Sequence, residues 1–211
     1  MNRDRAILDD LRRFRCMSRN DIIDLHFKNL KNPITNCNIV LKRLRRDKLI
    51  EANTNQQPYV YFPSPSTVKR DSQKIPHFLA IVDVYKQLIK HEQPRQFTVE
   101  PKYSKDYMEP DIFTIWRKAP FFIEVQRSHY SDKVMFAKLQ RYQKYYDSQA
   151  WHEETWQPKS RKVFPSVIII TDVRYSIPGY QFKIYQVASI NEFLQTIQEI
   201  TVNSGTNIKF K

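Results

Sequence analysis

EPDIFTIWRKAPFFIEVQ, residues 109–126, carries two runs rich in β-branched and aromatic residues, IFTIW and FFIEV, on either side of the polar dipeptide Arg117-Lys118. That pattern predicts a β-hairpin. With Arg117-Lys118 at the centre of a two-residue turn, Asp111 stands directly across from Glu124. Strand alternation puts Asp111, Phe113, Ile115, Phe122, Glu124 and Gln126 on one face, and Ile112, Thr114, Trp116, Phe121, Ile123 and Val125 on the other. Two like charges directly opposed on one face destabilise a sheet, so the pair calls for a cation. The two carboxylates, the Gln126 carboxamide oxygen and the Val125 carbonyl form an all-oxygen set suited to Mg²⁺ or Mn²⁺.

Around the hairpin the chain reads as helix, mixed sheet and covering helices. Pro76 can open a helix at its first position, and Phe78, Ile81, Val82, Tyr85, Leu88 and Ile89 form its apolar stripe. FTVEP is strand-like, a helix runs from about Asp132 to Asp147, and SVIIIT, residues 166–171, is continuously apolar, as a strand covered on both faces should be. FKIYQV reads as a further strand, SINEFLQTIQEI as a helix capped by Ser189, and NIKFK as an edge strand. The fold class is α/β (α+β), with a mixed central sheet in an α/β sandwich.

The N-terminal part has a different rhythm. Ile7, Leu8, Leu11 and Phe14 share one helical stripe; Ser18 caps a second short helix with Ile22, Ile23 and Leu25 inward. After Pro33 and Thr35 a third helix runs to about Lys48 and buries Val40, Leu41 and Leu44. It turns Thr35, Asn36, Asn38, Lys42, Arg43, Arg45 and Arg46 outward. LIEA and YVYF then form a two-stranded ribbon. Three short helices followed by a ribbon resemble a winged helix-turn-helix, which implies double-stranded DNA as partner. Asn and Arg can pair with base edges while further cations meet phosphates. Residues 63–76, PSPSTVKRDSQKIP, hold three prolines and read as a linker between domains 1–62 and 77–211.

Composition agrees with a polyanion partner. The 211 residues carry 35 Lys+Arg against 22 Asp+Glu, for a net charge of +13. Both parts are basic: residues 1–62 have 13 cationic and 7 acidic side chains, the remainder 22 and 15. Two glycines cannot build a Gly-rich phosphate loop, which excludes P-loop and dinucleotide-fold chemistry. Cys16 and Cys37 have no paired ligands nearby and read as reduced, buried thiols. No run of 18 apolar residues occurs and the N-terminus is charged, so the expectation is a cytoplasmic protein without a membrane span.

Pro110-Asp111 and Glu124-Val125-Gln126 resemble the PD-(D/E)xK nuclease superfamily, whose two motifs lie on adjacent antiparallel strands of an α/β core. The resemblance implies Mg²⁺ or Mn²⁺ held by Asp111, Glu124 and the Val125 carbonyl, with the metal activating water against a phosphodiester. Gln126 stands where the motif lysine is expected. In some members that lysine sits on the following helix, where KLQRY places Lys138 and Tyr142 four residues apart on one face. The catalytic candidates are therefore Asp111, Glu124, Gln126 and Lys138, with Tyr142, His77 and Asp83 as ancillary groups.

The whole order of motifs, from about Arg5 to Ile200, resembles the replication-relaxation family of plasmid and phage proteins. That implies a role at a replication or transfer origin, beside replication or relaxase proteins. Three readings stay open: a DNA-binding protein with a nuclease-like scaffold, an active Mg²⁺-dependent endonuclease or nickase, and a transcriptional repressor acting as a homodimer.

Overall fold

The structure, a computed structural model, describes residues 2–177 and 179–203, with side chains to residue 199. The NIKFK strand expectation lies outside the described residues. The chain divides into two compact units, Met1–Lys86 and Gln87–Lys211, and its class is mixed α+β.

The first unit runs α1 (Arg3–Phe14), β1 (Met17–Ser18), α2 (Arg19–His26), α3 (Pro33–Arg46), β2 (Ile50–Asn53), β3 (Val60–Pro63) and most of α4 (Ile75–Ile89). Its antiparallel sheet has the order β1-β3-β2, with Met17 and Ala52 both opposite Tyr61. Each helix start has a local cause. The Asn2 side chain accepts from the Asp4 amide, and Ser18 and Asp21 form a reciprocal capping box. Pro33 opens α3 in the first turn, where a missing N–H costs nothing.

Ile7, Leu11 and Phe14 of α1 are buried, while Leu8 is half-buried. Ile22 of α2 is buried, with Ile23 and Leu25 half-buried. In α3 the inward stripe is Cys37, Leu41 and Leu44, not the expected Val40, Leu41 and Leu44. Spacing of four and three residues aligns those side chains along the helix and leaves Val40 at the stripe's edge. Cys16 and Cys37 are free and buried, and burial pushes both thiols up to about 12, so they stay protonated. Lys86 of α4 lies 2.7 Å from Asp21 and 3.0 Å from Asp24, pinning α4 to α2. Burial pulls its ammonium down, but the two carboxylates outweigh that and hold it above its ordinary value.

The second unit carries β4 (Gln96–Val99), β5 (Ile112–Trp116), β6 (Ala119–Val125), α5 (Asp132–Ser148), a short 3-10 turn (Ala150–Glu153), β7 (Ser166–Ile170), β8 (Ile184–Val187) and α6 (Ile190–Asn203). The sheet order is β4-β5-β6-β7-β8; the first three strands are antiparallel and the last three parallel. A parallel step needs a crossover, and α5 supplies the one from β6 to β7. On one face Phe113, Phe122, Val167 and Ile169 form a common core with Met135, Leu139, Tyr142 and Tyr145 of α5. On the other, the Phe193 ring of α6 meets Phe121 at 5.6 Å and Tyr185 at 5.0 Å. This double cover explains why β7 is apolar from Val167 onward: Val167, Ile168 and Ile169 are all buried. The strand expected from FKIYQV begins only at Ile184, because Phe182 is drawn into the aromatic cluster of Tyr142, Tyr146 and Phe164. Ser189 does cap α6, accepting the Glu192 amide.

The hairpin has the expected register. Ile112 pairs with Ile123 and Trp116 with Ala119, around a two-residue turn at Arg117-Lys118. Both turn residues have positive φ, 49° and 64°, as a twist-matched two-residue turn requires. The Arg117 guanidinium sits 5.0 Å from the centre of the Trp116 ring, a cation–π contact that offsets part of that strain. Replacing Arg117-Lys118 by Asn-Gly should therefore raise stability by about 1 kcal/mol, read as a higher urea midpoint at constant slope.

Candidate functional site

Two groups of side chains stand out, one in each unit. In the second unit, Asp111 immediately precedes β5 and Glu124 occupies β6, at the end of the sheet where β6 and β7 present their carboxyl termini. The Asp111 carboxylate accepts the Val125 amide at 2.7 Å, which fixes it beside Glu124. Glu124 is 3% exposed. Its Oε1 accepts the Tyr142 hydroxyl at 2.5 Å, and its Oε2 lies 2.5 Å from the Lys138 ammonium. Lys138 and Tyr142 are one turn apart on α5 and reach the carboxylate from the same helix face. The opposed acids thus have an internal cation. Gln126 donates its side-chain amide to the Tyr175 hydroxyl, which also accepts the Tyr130 amide at 3.1 Å. The Gln126 Oε1 atom is buried and has no hydrogen-bond partner.

Burial is the largest influence on Glu124. Lys138 and Tyr142 oppose it, Asp111 adds to it, and the outcome is a carboxyl pushed up to about 7. Burial likewise works against the Lys138 ammonium, but Glu124 and Asp111 prevail and hold it above its ordinary value. A raised carboxyl contributes stability that is complete below the unfolded value of 4.5 and lost as pH rises through about 7. In that window the unfolded chain has released a proton that the folded chain retains. Between pH 4.5 and 7 the parent should lose about 3 kcal/mol relative to Glu124→Gln, measured by urea denaturation. A difference independent of pH would mean that Glu124 is ionised throughout.

The donor set at this centre is all oxygen, in keeping with Mg²⁺ or Mn²⁺. Both Glu124 oxygens are already engaged, however, and among the described residues no three His, Cys, Asp or Glu side chains converge. A metal would have to take Glu124 from Lys138 while using Asp111, the Val125 carbonyl and the unpartnered Gln126 oxygen.

In the first unit, α3 and the β2–β3 ribbon border a cleft of about 580 Å³ lined by Arg19, Asn38, Lys42, Arg45, Arg46, Gln57, Tyr59 and Tyr61, and by no acidic side chain. Asn38, Lys42, Arg45 and Arg46 are exposed. The Arg19 amide bonds the Tyr59 carbonyl at 2.8 Å, which brings the start of α2 against the ribbon. The buried Arg19 Nε has no hydrogen-bond partner. Such a concentration of cations, with two aromatic rings, suits a phosphate-bearing ligand.

The structure brings Asp111, Glu124, Lys138 and Tyr142 together, with Gln126 and Val125 at the same strand end. His77 and Asp83 belong to the first unit; Asp83 lies 4.0 Å from Lys86 and the His77 ring packs against Phe78. Of the α3 residues expected to face DNA, Thr35, Asn38, Lys42, Arg43, Arg45 and Arg46 are exposed. Arg43 is held by Asp4 at 2.5 Å, Arg46 by Asp47 at 2.9 Å, and half-buried Asn36 donates to the Asn32 carbonyl at 2.8 Å. Sequence reasoning missed Arg19, Gln57, Tyr59 and Tyr61. The alternation in PYVYF was a usable signal, because period two puts Tyr59 and Tyr61 on the face opposite Val60 and Phe62.

Residues 63–159 match the sequence model of the replication-relaxation family. No curated protein and no solved structure matches the chain. No described helix is long and apolar enough to cross a membrane.

Proposed function

From the match of residues 63–159 to the replication-relaxation family model, we propose that the protein binds double-stranded DNA at a replication or transfer origin of a plasmid or phage, docking through the exposed face of α3 and the cleft beside it. The family match supports a role in the replication of mobile elements; the choice of DNA as ligand rests on the first unit. The observation that carries it is the acid-free cleft lined by Arg19, Lys42, Arg45 and Arg46. The element order of that unit, with α3 followed by the β2–β3 ribbon, supports a winged-helix mode of docking, with α3 toward the major groove and the ribbon along the backbone. The test is binding of a duplex of about 25–30 base pairs (roughly two and a half to three turns, enough to span one docking module) followed by fluorescence anisotropy between about 50 and 200 mM salt. Affinity should fall steeply and linearly on a log–log plot. No binding at 50 mM salt would overturn the reading.

A second reading, a Mg²⁺-dependent endonuclease or nickase, is favoured by one observation: Asp111, Glu124 and Lys138, with Gln126 directly after β6, meet at the carboxyl ends of parallel strands, where α/β sheets commonly bind ligands. Asp111, Glu124, Gln126 and the Val125 carbonyl would hold the ion, which would supply an activated water. Lys138 is placed to neutralise charge beside them. Nicking of supercoiled plasmid with Mg²⁺ or Mn²⁺, abolished by Asp111→Ala, is the expected result of this reading; intact plasmid under all metal conditions would leave DNA binding alone.

A further inference from the structure

The two halves of α3 display different chemistry. Its first two turns carry no charge: Ile34 is 55% exposed, Ile39 is 63% exposed, and Thr35 and Asn38 are exposed with them. The cations begin at Lys42 and continue through Arg43, Arg45 and Arg46. Ile39 stands open to water on a helix that has an intact buried stripe, so its side chain is available to a ligand.

We infer that α3 is a reader of A·T base pairs, with Asn38 and Ile39 as its specificity residues; this rests on the DNA-docking reading above. In helix-turn-helix docking the N-terminal part of the recognition helix meets the base edges. Guanine is read chiefly by Arg or Lys on its O6 and N7 atoms, and the first two turns of α3 offer neither. What they offer is an Asn, whose carboxamide pairs with adenine N6 and N7, and an exposed branched aliphatic chain one position on, suited to the thymine methyl group. Asn38 also lines the cationic cleft, which places it next to the groups that would hold the phosphates. The charge is thus complementary to the backbone along the last turns, and the shape and polarity are complementary to A·T edges along the first.

The experiment is selection from a randomised duplex pool with the full chain, followed by anisotropy on the enriched site and on the same site with uracil in place of thymine. Enriched sites should carry adjacent A·T pairs. Asn38→Ala should weaken binding to the enriched A·T sites about tenfold more than it weakens binding to random DNA. Removing the thymine methyl groups should weaken the parent several-fold and leave Ile39→Ala unaffected. Enrichment of G·C sites, binding without preference, or an Ile39→Ala variant that keeps the parent's sensitivity to the methyl group would each overturn the inference while DNA binding stands. Absence of binding at 50 mM salt would overturn both.

Discussion

Lys138→Met should lower folding stability by about 3 kcal/mol at pH 8, and by progressively less as pH falls toward 5. At pH 8 Glu124, pushed up to about 7, is ionised in the parent and faces the Lys138 ammonium at 2.5 Å. Methionine fills similar space without the charge, so the variant must either bury a bare carboxylate beside Asp111 or keep a proton that solvent at that pH would remove. At pH 5 Glu124 carries its proton in the parent as well, and the loss shrinks to packing and one hydrogen-bond donor. Combining Lys138→Met with Glu124→Gln should recover most of the stability, since replacing both partners of a buried pair leaves no uncompensated charge. Urea denaturation of the two single variants and the double variant at pH 5 and 8 provides the cycle. A Lys138→Met cost that is equal at both pH values would mean that the ammonium does not compensate Glu124.

The second large effect is on DNA affinity. Replacing Arg19, Lys42 and Arg45 together by alanine should weaken duplex binding about 10²-fold at 0.15 M salt and make the log–log salt slope shallower by about 3, near one unit per lost phosphate contact. All three line the cleft. Arg43 serves as the internal control, because its guanidinium is already committed to Asp4. Arg43→Ala should change affinity much less than the cleft variant. Lys42→Ala with Arg46→Ala should fall between them and act on all sequences alike. If the triple variant binds with the parent's slope, the cleft is not where the backbone runs. Circular dichroism then separates lost contact from lost fold, and exposed Lys42 and Arg45 make an intact fold the expected result.

Much of the second unit was legible from residues near one another in sequence. The register of the hairpin follows from period-two alternation around Arg117-Lys118, and a slip of one residue would turn Phe113 and Phe122 out of the core. Helix α5 was readable to within a residue, because Ser131 caps it and Met135, Leu139 and Tyr142 repeat at helical spacing. The candidate site was only partly legible. That Lys138 and Tyr142 share a face follows from their spacing; that both meet Glu124 requires the crossover from β6 to bring α5 back over its own strand.

Alternation, capping residues and charge balance determined the elements, the opposed pair Asp111 and Glu124, and the basic character of α3, because each depends on neighbours within a few residues. Tertiary structure alone decided which cation compensates Glu124, that Arg43 turns to Asp4 while Arg19 joins the ribbon tyrosines at the cleft, and that Cys37 lies inward where Val40 does not. The reason is physical: the partner of a charge, and the side of a stripe that meets the core, are set by where distant segments dock, and no local periodicity carries that distance.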